Sequence, residues 1–237
     1  MSALELHELV KCYRDGGETV RAVDGVSLTI APGELAALYG PSGSGKTTLL
    51  SMVAALFAPD SGSIVFDGRD IAKLSARESA RYRRRDVGFI SQEFHLIPGA
   101  TALDNAMIKL PALGLDLREA RARTRPWLAR VGLGERMERR PDQLSMGERQ
   151  RITIARALVG EPGLLLADEP TGNLDSARTA EILALLRELC HERAIPGLLV
   201  THDPEAVAFV DEVHTLRDGR LLDPVSPLAQ AGPMSAR

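Results

Sequence analysis

The sequence contains few cysteines and no long apolar run. Only two cysteines occur among 237 residues, Cys12 and Cys190, far apart and without a C-x-x-C spacing. This argues against a disulfide framework or a zinc motif, and we expect both side chains to be buried in a reducing compartment. No apolar run approaches the roughly 18 residues of a membrane span, and the N-terminus lacks a signal-peptide core. We therefore expect a cytosolic chain unless another protein holds it at a membrane.

Aromatic residues and excess positive charge are also scarce. Aromatics make up 4% of the chain, and the formal net charge is -3. The arginine clusters at 83–85 and 118–125 are interleaved with acidic residues or lie on predicted helix faces, so we expect no nucleic-acid partner. The rest of the composition, 44% hydrophobic and 26% charged, is ordinary for a globular protein with a substantial core.

The segment 40–47 reads GPSGSGKT and matches the phosphate-loop pattern G-x-x-x-x-G-K-[ST] in full. It follows a predicted strand, Glu34–Tyr39, and leads into a predicted helix, Lys46–Val53, so a chance Gly/Ser loop is a poor alternative. Glycines let backbone N–H groups turn toward an anion, and the helix N-terminus adds its positive dipole. We predict that Lys46 reaches the outer phosphates and that Thr47 binds Mg²⁺. The predicted nucleotide contacts of this region are Gly40, Pro41, Ser42, Gly43, Ser44, Gly45, Lys46, Thr47 and Thr48.

Strand and helix patterns alternate along most of the chain, which predicts the α/β class with a parallel sheet. The first third is strand-rich and predicts an N-terminal antiparallel β region. The last third predicts, in order, strand Gly163–Ala167, helix Ala177–Arg193, strand Gly197–Val200, helix Pro204–Val210 and strand Val213–Leu216. We expect one domain over residues 1–223, with a helical subdomain at about 94–152 inserted in its core. Residues 224–237 are expected to form a short flexible tail.

An apolar strand with the sequence GLLLADE ends in two carboxylates, Asp168 and Glu169. The carboxyl ends of strands are where ligands bind in open α/β sheets. Asp168 is therefore placed to hold Mg²⁺, directly or through a water, and Glu169 is our predicted general base for an attacking water. The alternative is that the two carboxylates only cap a strand, which is harder to dismiss for Glu169.

Three further segments resemble the nucleotide-binding domain of ATP-binding cassette (ABC) transporters: LSMGERQR at 144–151, ITIARAL at 152–158 and LLLADEPTGNLD at 164–175. The resemblance extends to about Leu222. It implies a P-loop NTPase fold with a RecA-like core, ATP and Mg²⁺ as ligands, and ATP hydrolysis. It also implies a second copy of the chain, because the family's dimer encloses two ATP molecules.

The resemblance assigns a signature motif to Ser145, Gly147 and Glu148, which would cover the γ-phosphate of an ATP held by the second copy. A Ser and a Gly before a helix also make an anion-binding helix N-terminus. Met146 departs from the family pattern LSGGQ by adding a side chain beside this loop, and Glu148 replaces its glutamine.

Four more residues match family positions. Gln92 matches the glutamine that reaches Mg²⁺ or the attacking water, and His202 matches the histidine that hydrogen-bonds the γ-phosphate. Asp175 matches a residue that couples the two sites across the dimer, although it could equally be a plain helix N-cap. Tyr13 matches an aromatic residue that stacks on adenine, with a core tyrosine as the alternative.

The run FISQEFHLIPGATALDN is similar to the branch that serves lipoprotein release, macrolide export and cell division. The resemblance implies a separate integral membrane permease, docked near 92–98 and the helical subdomain, and a place at the inner face of the cell membrane. Phe94, Leu96 and Ile97 suit such docking, unless they pack inside the protein. The alternatives are a soluble ABC-type ATPase of translation or DNA repair, and a nucleotide-dependent scaffold whose slow hydrolysis Met146 would explain. The sequence does not name the transported substrate.

Overall fold

The computed structural model describes residues 2–15, 18–172 and 174–222. The tail expected at 224–237 lies outside the described residues. Within them the strands are β1 Leu4–Asp15, β2 Glu18–Ile30, β3 Leu35–Tyr39, β4 Ser61–Phe66, β5 Arg69–Asp70, β6 Val87–Ile90, β7 Leu164–Asp168, β8 Gly197–Thr201, β9 Glu212–Arg217 and β10 Arg220–Leu221. The α-helices are α1 Lys46–Val53, α2 Ala76–Arg85, α3 Ala102–Met107, α4 Leu117–Arg130, α5 Met146–Leu158 and α6 Ser176–Arg193.

A six-stranded sheet forms the centre of the fold, in the order β10-β9-β3-β8-β7-β6. Its strands from β9 to β6 are parallel, and only β10 runs antiparallel, to β9. The strand β8 is buried at every residue, because apolar layers cover both faces of the sheet. The α/β fold with a parallel sheet, predicted from the alternation of patterns, is confirmed.

A second, antiparallel sheet of order β2-β1-β4-β5 is built from the first third of the chain. Its apolar side chains share one hydrophobic core with α1, α2 and one face of the central sheet. Leu4, Ile30 and Ile64 are fully buried there, and Tyr82 of α2 donates its hydroxyl to the Val53 carbonyl at the end of α1. This packing holds α1 against the antiparallel sheet.

The opposite face of the central sheet is covered by the second core, which includes α3, α4, α5 and α6. The helix α4 starts at a capping box, in which Asp116 and Glu119 accept each other's backbone N–H. The helix α5 also starts at a capping box, which is formed by Ser145 and Glu148. The helices α3 to α5 occupy the stretch between β6 and β7, while the bounds 94–152 of an inserted subdomain stay a prediction.

Two expectations from the sequence were wrong in detail. The helix predicted over Pro204–Val210 is only a four-residue 3₁₀ helix, Ala206–Phe209, with no side-chain cap. Asp203 accepts the Glu205 N–H through its carboxylate and the Ala206 N–H through its carbonyl, so a tight turn replaces the start of a longer helix. Cys190 is buried as expected, but Cys12 is only half-buried, near the exposed end of β1. Across the described ranges, no helix combines the length and apolar character that a membrane crossing requires.

Candidate functional site

The predicted catalytic and phosphate-binding residues meet at the carboxyl edge of the central sheet. The phosphate loop follows β3, Gln92 follows β6, Asp168 ends β7, and His202 follows β8. Neighbouring parallel strands end at the same edge, so residues distant in sequence come together there.

A cavity of about 480 Å³ lies at this edge. This volume is within the range of small-molecule sites. Its lining residues are Tyr13, Ala22, Ser42, Gly43, Gly45, Lys46, Thr47, Thr48, Gln92, Asp168, Glu169 and His202. All except Ala22 were predicted from the sequence as site residues. Tyr13 lies on its rim with 43% of its surface exposed, so it is not the core tyrosine of the alternative interpretation.

The phosphate loop has the geometry of an anion cradle. Gly45 adopts φ 102° immediately before α1, a conformation that favours glycine, and no side chain caps the first turn of the helix. The N–H groups of that turn are therefore available to an anion. Lys46 is buried, and its Nζ donates to the carbonyl oxygens of Gly40 at 2.7 Å and Pro41 at 2.8 Å. The buried Ser44 hydroxyl has no hydrogen-bond partner among the described residues, as expected for a loop shaped around a polar ligand.

Backbone carbonyls from two distant segments support this loop from behind. A Cβ on Gly40 would lie 2.1 Å from the Leu216 carbonyl oxygen, and one on Gly45 would lie 1.9 Å from that of Ala22. The pairing of β1 with β2 skips Ala22, where Lys11 pairs with Val23 and Cys12 with Arg21. Sequence reasoning missed this support, because a carbonyl oxygen carries no residue-type signal.

The hairpin β9–β10 completes the support. The Gly219 N–H donates to the Ser44 carbonyl at 3.1 Å, and the Gly219 carbonyl accepts the Asp24 N–H at 2.8 Å. Arg220 places Nε and Nη2 within 2.8 and 2.7 Å of Asp24 Oδ2, and Arg21 binds Oδ1 at 2.9 Å. Hydrogen bonds from Arg220 and Arg21 lower the pKa of Asp24, so its carboxylate is ionised at neutral pH. The hairpin, the β2 strand and the phosphate loop thus form one connected unit.

Asp168 and Thr47 lie together beside the loop, where the Thr47 hydroxyl hydrogen-bonds the Asp168 carboxylate. Burial, and then repulsion from Glu169, raise the pKa of Asp168, while the bond to Thr47 and the charge of Lys46 oppose this. Burial lowers the pKa of Lys46, and the two carboxylates counteract it. Hydroxyl and carboxylate oxygens are the donors that Mg²⁺ takes beside substrate phosphates, so this donor set fits the ion.

Glu169 and His202 form a hydrogen-bonded pair at the cavity, with Oε1 and Nδ1 2.7 Å apart. The Glu169 side chain is largely buried, at 14% exposure, whereas that of His202 is 57% exposed. Glu169 has φ 46°, in the left-handed region that non-glycine residues rarely adopt, and its N–H donates to the Val200 carbonyl. Strained backbone such as that of Glu169 is concentrated at functional sites.

The amide of Gln92 lies close to Gly172, where a Cβ would come within 3.1 Å of Nε2.

The predicted signature residues lie elsewhere. None of Ser145, Gly147, Glu148 and Asp175, all within the described ranges, lines the cavity. Ser145 caps α5 by accepting the Glu148 N–H at 3.3 Å, and Glu148 accepts the Ser145 N–H at 2.8 Å.

Asp175 caps α6 through the Arg178 N–H and binds the Arg178 guanidinium at 2.9 Å, so the plain N-cap contact is present. The same arginine covers Gly147, where a Cβ would come within 3.0 Å of Arg178 Cδ. The signature loop and the start of α6 therefore share one surface of the chain.

The fold and the phosphate loop define a P-loop nucleotide-binding protein. The sequence profile of a family described as ABC transporter matches residues 23–172. The lipoprotein-releasing system ATP-binding protein LolD 2 of Caulobacter vibrioides is 43% identical over 218 residues, which cover 92% of this chain and 96% of the relative. The chain belongs to the ABC transporter family.

Two further comparisons agree with this assignment. The macrolide export ATP-binding/permease protein MacB of Syntrophobacter fumaroxidans is 42% identical over 228 residues, which cover 95% of this chain and 32% of the relative. The chain thus spans about a third of that relative's length. The solved ABC transporter cassette MJ0796 is 36% identical with a TM-score of 0.83, and the match covers 92% of this chain and 96% of that one. The prediction of an ATP-binding and ATP-hydrolysing ABC subunit is confirmed, and these relatives favour it over the non-transport alternative.

Proposed function

We propose that two copies of this chain bind two Mg·ATP molecules between them and use their hydrolysis to drive a separate membrane permease. The observation that carries the proposal is the separation of the motifs. The phosphate loop, Asp168 and Glu169 line the cavity, whereas Ser145 and Gly147 lie on another surface. A second copy related by two-fold symmetry can bring its own Ser145 and Gly147 to the open side of the cavity. MJ0796 has been solved as a dimer, and also in a post-hydrolysis state bound to ADP and Pi, which supports this arrangement.

Within each cavity, Glu169 is the base that takes the proton of the attacking water. Such a group contributes roughly 10²- to 10⁴-fold to a rate. An ionised carboxylate only accepts hydrogen bonds, so the contact at 2.7 Å requires the proton on His202 Nδ1. His202 thus orients Glu169 through Nδ1 and leaves Nε2 for contact with the γ-phosphate.

The remaining residues bind and orient the nucleotide. Lys46 exchanges its bonds to loop carbonyls for bonds to the outer phosphates, and the first N–H groups of α1 hold the same charge. Thr47 and Asp168 would hold Mg²⁺, with the Gln92 amide oxygen as a further ligand, and the ion when bound neutralises charge on the phosphate oxygens. Tyr13 supports the base at the other end of the cavity.

The permease docks in a groove beside the loop that follows β6. A cavity of about 520 Å³ lies there, and it is lined by Glu93, Phe94, His95, Leu96, Pro98, Pro141, Asp142 and Arg149. Phe94, Leu96 and the two prolines give the groove an apolar surface. The neighbouring Ile97 is 48% exposed. Arg156 of α5 donates to the carbonyl oxygens of Phe94 at 2.8 Å and His95 at 2.9 Å.

The helix α5 therefore joins the two surfaces, with Ser145 at its N-terminus and Arg149 and Arg156 at the groove. A movement of the signature loop toward ATP would be transmitted along this helix to the permease. We expect the chain to act at the inner face of the membrane, because the permease is a membrane protein. The relative LolD 2 is named for a lipoprotein-releasing system. This similarity supports a place for the chain in the branch that serves lipoprotein release, macrolide export and cell division.

The test is the variant Glu169→Gln, with Glu138→Gln as the matched control because Glu138 is exposed and does not line the cavity. We expect Glu169→Gln to lose at least about 100-fold in ATP turnover and to form a dimer with Mg·ATP, measured by light scattering. Glu138→Gln should turn over ATP at the wild-type rate. Undiminished hydrolysis by Glu169→Gln would remove Glu169 from the mechanism, and a monomer at saturating ATP would contradict the shared site.

A further inference from the structure

A second aromatic ring lies against Tyr13 at the rim of the nucleotide cavity. The centroids of Tyr13 and Phe57 are 6.5 Å apart, and their planes meet at 79°, which is an edge-to-face contact. Phe57 belongs to the loop between α1 and β4, and it is 37% exposed. It does not line the cavity itself. Its contact with the site passes through Tyr13.

Hydrogen bonds between β1 and the loop that carries Phe57 fix the position of this residue. Lys11 Nζ donates to the Ala58 carbonyl at 3.1 Å and to Asp60 Oδ1 at 2.7 Å, while the Cys12 N–H donates to Asp60 Oδ2 at 2.7 Å. The Asp60 N–H in turn donates to the Val10 carbonyl at 2.8 Å. These bonds tie the loop to the part of β1 that carries Tyr13.

The same lysine contacts the ring of Phe57. Lys11 Nζ lies 5.6 Å from the ring centroid, and the Lys11 side chain is only 17% exposed. A cation within about 6 Å of a ring is attracted by its quadrupole. Phe57 is thus held by Lys11 and makes an edge-to-face contact with Tyr13.

We propose that Phe57 is a positioning residue for the base of the nucleotide, which sets the orientation of the Tyr13 ring before ATP binds. This inference rests on the proposed function, since it takes ATP as the ligand and Tyr13 as its base contact. Tyr13 lines the same cavity as the phosphate loop, so a nucleotide whose triphosphate is held by the loop can place its base against Tyr13. The ligand class recognised here is an aromatic base joined to a triphosphate.

The physical argument is preorganisation. A half-exposed tyrosine near the end of a strand can occupy several rotamers, and binding must select one of them. An edge-to-face neighbour favours one orientation before the ligand arrives, and so lowers the cost of binding. The effect acts on affinity and leaves the chemistry at Glu169 untouched.

The experiment measures steady-state ATP hydrolysis by Phe57→Ala, Phe57→Leu and Phe57→Tyr, with Leu56→Ala as the control. Leu56 is the adjacent apolar residue and is 57% exposed. We expect Phe57→Ala to raise KM for ATP about two- to tenfold with kcat unchanged. Phe57→Leu keeps an apolar side chain without the ring, so it should also raise KM. Phe57→Tyr should restore the wild-type KM, and Leu56→Ala should not change it.

Two further measurements distinguish positioning from a general structural effect. Inorganic triphosphate carries no base, so its inhibition constant should be the same in wild type and in every variant. In a double-mutant cycle, Phe57→Ala should add nothing in a Tyr13→Ala background, because Phe57 acts only through Tyr13.

An unchanged KM in Phe57→Ala and Phe57→Leu, weaker triphosphate inhibition, or an undiminished Phe57 effect without Tyr13 would each overturn the inference. Its failure is distinguishable from failure of the proposed function, which would instead appear as wild-type protein that does not hydrolyse ATP.

Discussion

Replacing Gly40 by alanine tests the support of the phosphate loop with a single methyl group. The φ of Gly40 is outside the left-handed region, so alanine is compatible with the backbone there. The added Cβ would instead lie 2.1 Å from the Leu216 carbonyl oxygen and 3.1 Å from Ser44 Oγ. The change is therefore a steric one, directed at the contact between the loop and β9.

The magnitude follows from the distance. A carbon and a carbonyl oxygen need about 3.3 Å between them, so the loop and β9 must separate by about 1.2 Å. Overpacking of this kind costs about 1–3 kcal/mol of unfolding free energy. A displacement near 1 Å at a reacting centre can lower a rate about a hundredfold. We expect kcat/KM for ATP to fall by about that factor in Gly40→Ala, because Lys46 and Thr47 move with the loop.

The assay is ATP turnover together with thermal melting, with Gly134→Ala as the matched control. A Cβ on Gly134 would meet Ala129 at an ordinary 3.8 Å, and Gly134 is not in the left-handed region either. The control should keep wild-type turnover. A wild-type kcat/KM in Gly40→Ala would show that the contact with Leu216 does not set the position of the loop, and the argument from backbone support would fail.

Two more predictions concern charged groups. Burial, with the nearby charges of Arg156 and Arg123, lowers the pKa of Lys109 to about 8 from an ordinary 10.5. The unfolded chain then binds the proton more strongly between pH 8 and 10.5, so wild-type stability should rise over that range by about 3 kcal/mol relative to Lys109→Met. Urea unfolding of both proteins measures this, and parallel pH curves would contradict it. Asp24→Asn weakens the bonds to Arg220 and so should lower affinity for a fluorescent ATP analogue, whereas unchanged affinity would show that backbone bonds alone hold the hairpin.

Much of the site could be predicted because its chemistry depends on residue type at fixed spacing. The phosphate loop, Asp168 and His202 each follow an apolar strand, and parallel strands bring their carboxyl ends to one edge. The predicted family and the α/β fold were confirmed for the same reason, since the motifs and the alternating elements point to one architecture. The roles of the individual residues stay predictions that the proposed variants test.

The rest could not be predicted, because it depends on long-range pairing and on backbone atoms. Nothing in the residue type of Leu216 or Ala22 indicates a carbonyl against the phosphate loop, and the skipped pairing at Ala22 is visible only in the register of two strands. Phe57 is an isolated aromatic residue in sequence, and its contact with Tyr13 requires the hydrogen bonds that join β1 to the loop before β4. The helix predicted at Pro204–Val210 was wrong because a local turn at Asp203 competes with a short apolar pattern.

The position of Leu216 also has a consequence for biosynthesis. The loop at Gly40 emerges from the ribosome before β9, since Leu216 is made about 176 residues later. A nascent chain that lacks β9 therefore carries the complete phosphate loop without the strand that packs against it. We expect such a chain to bind ATP weakly. Ligand binding would then follow the synthesis of β9, and ribosome-bound chains stalled before and after Leu216 can be compared directly by retention on immobilised ATP.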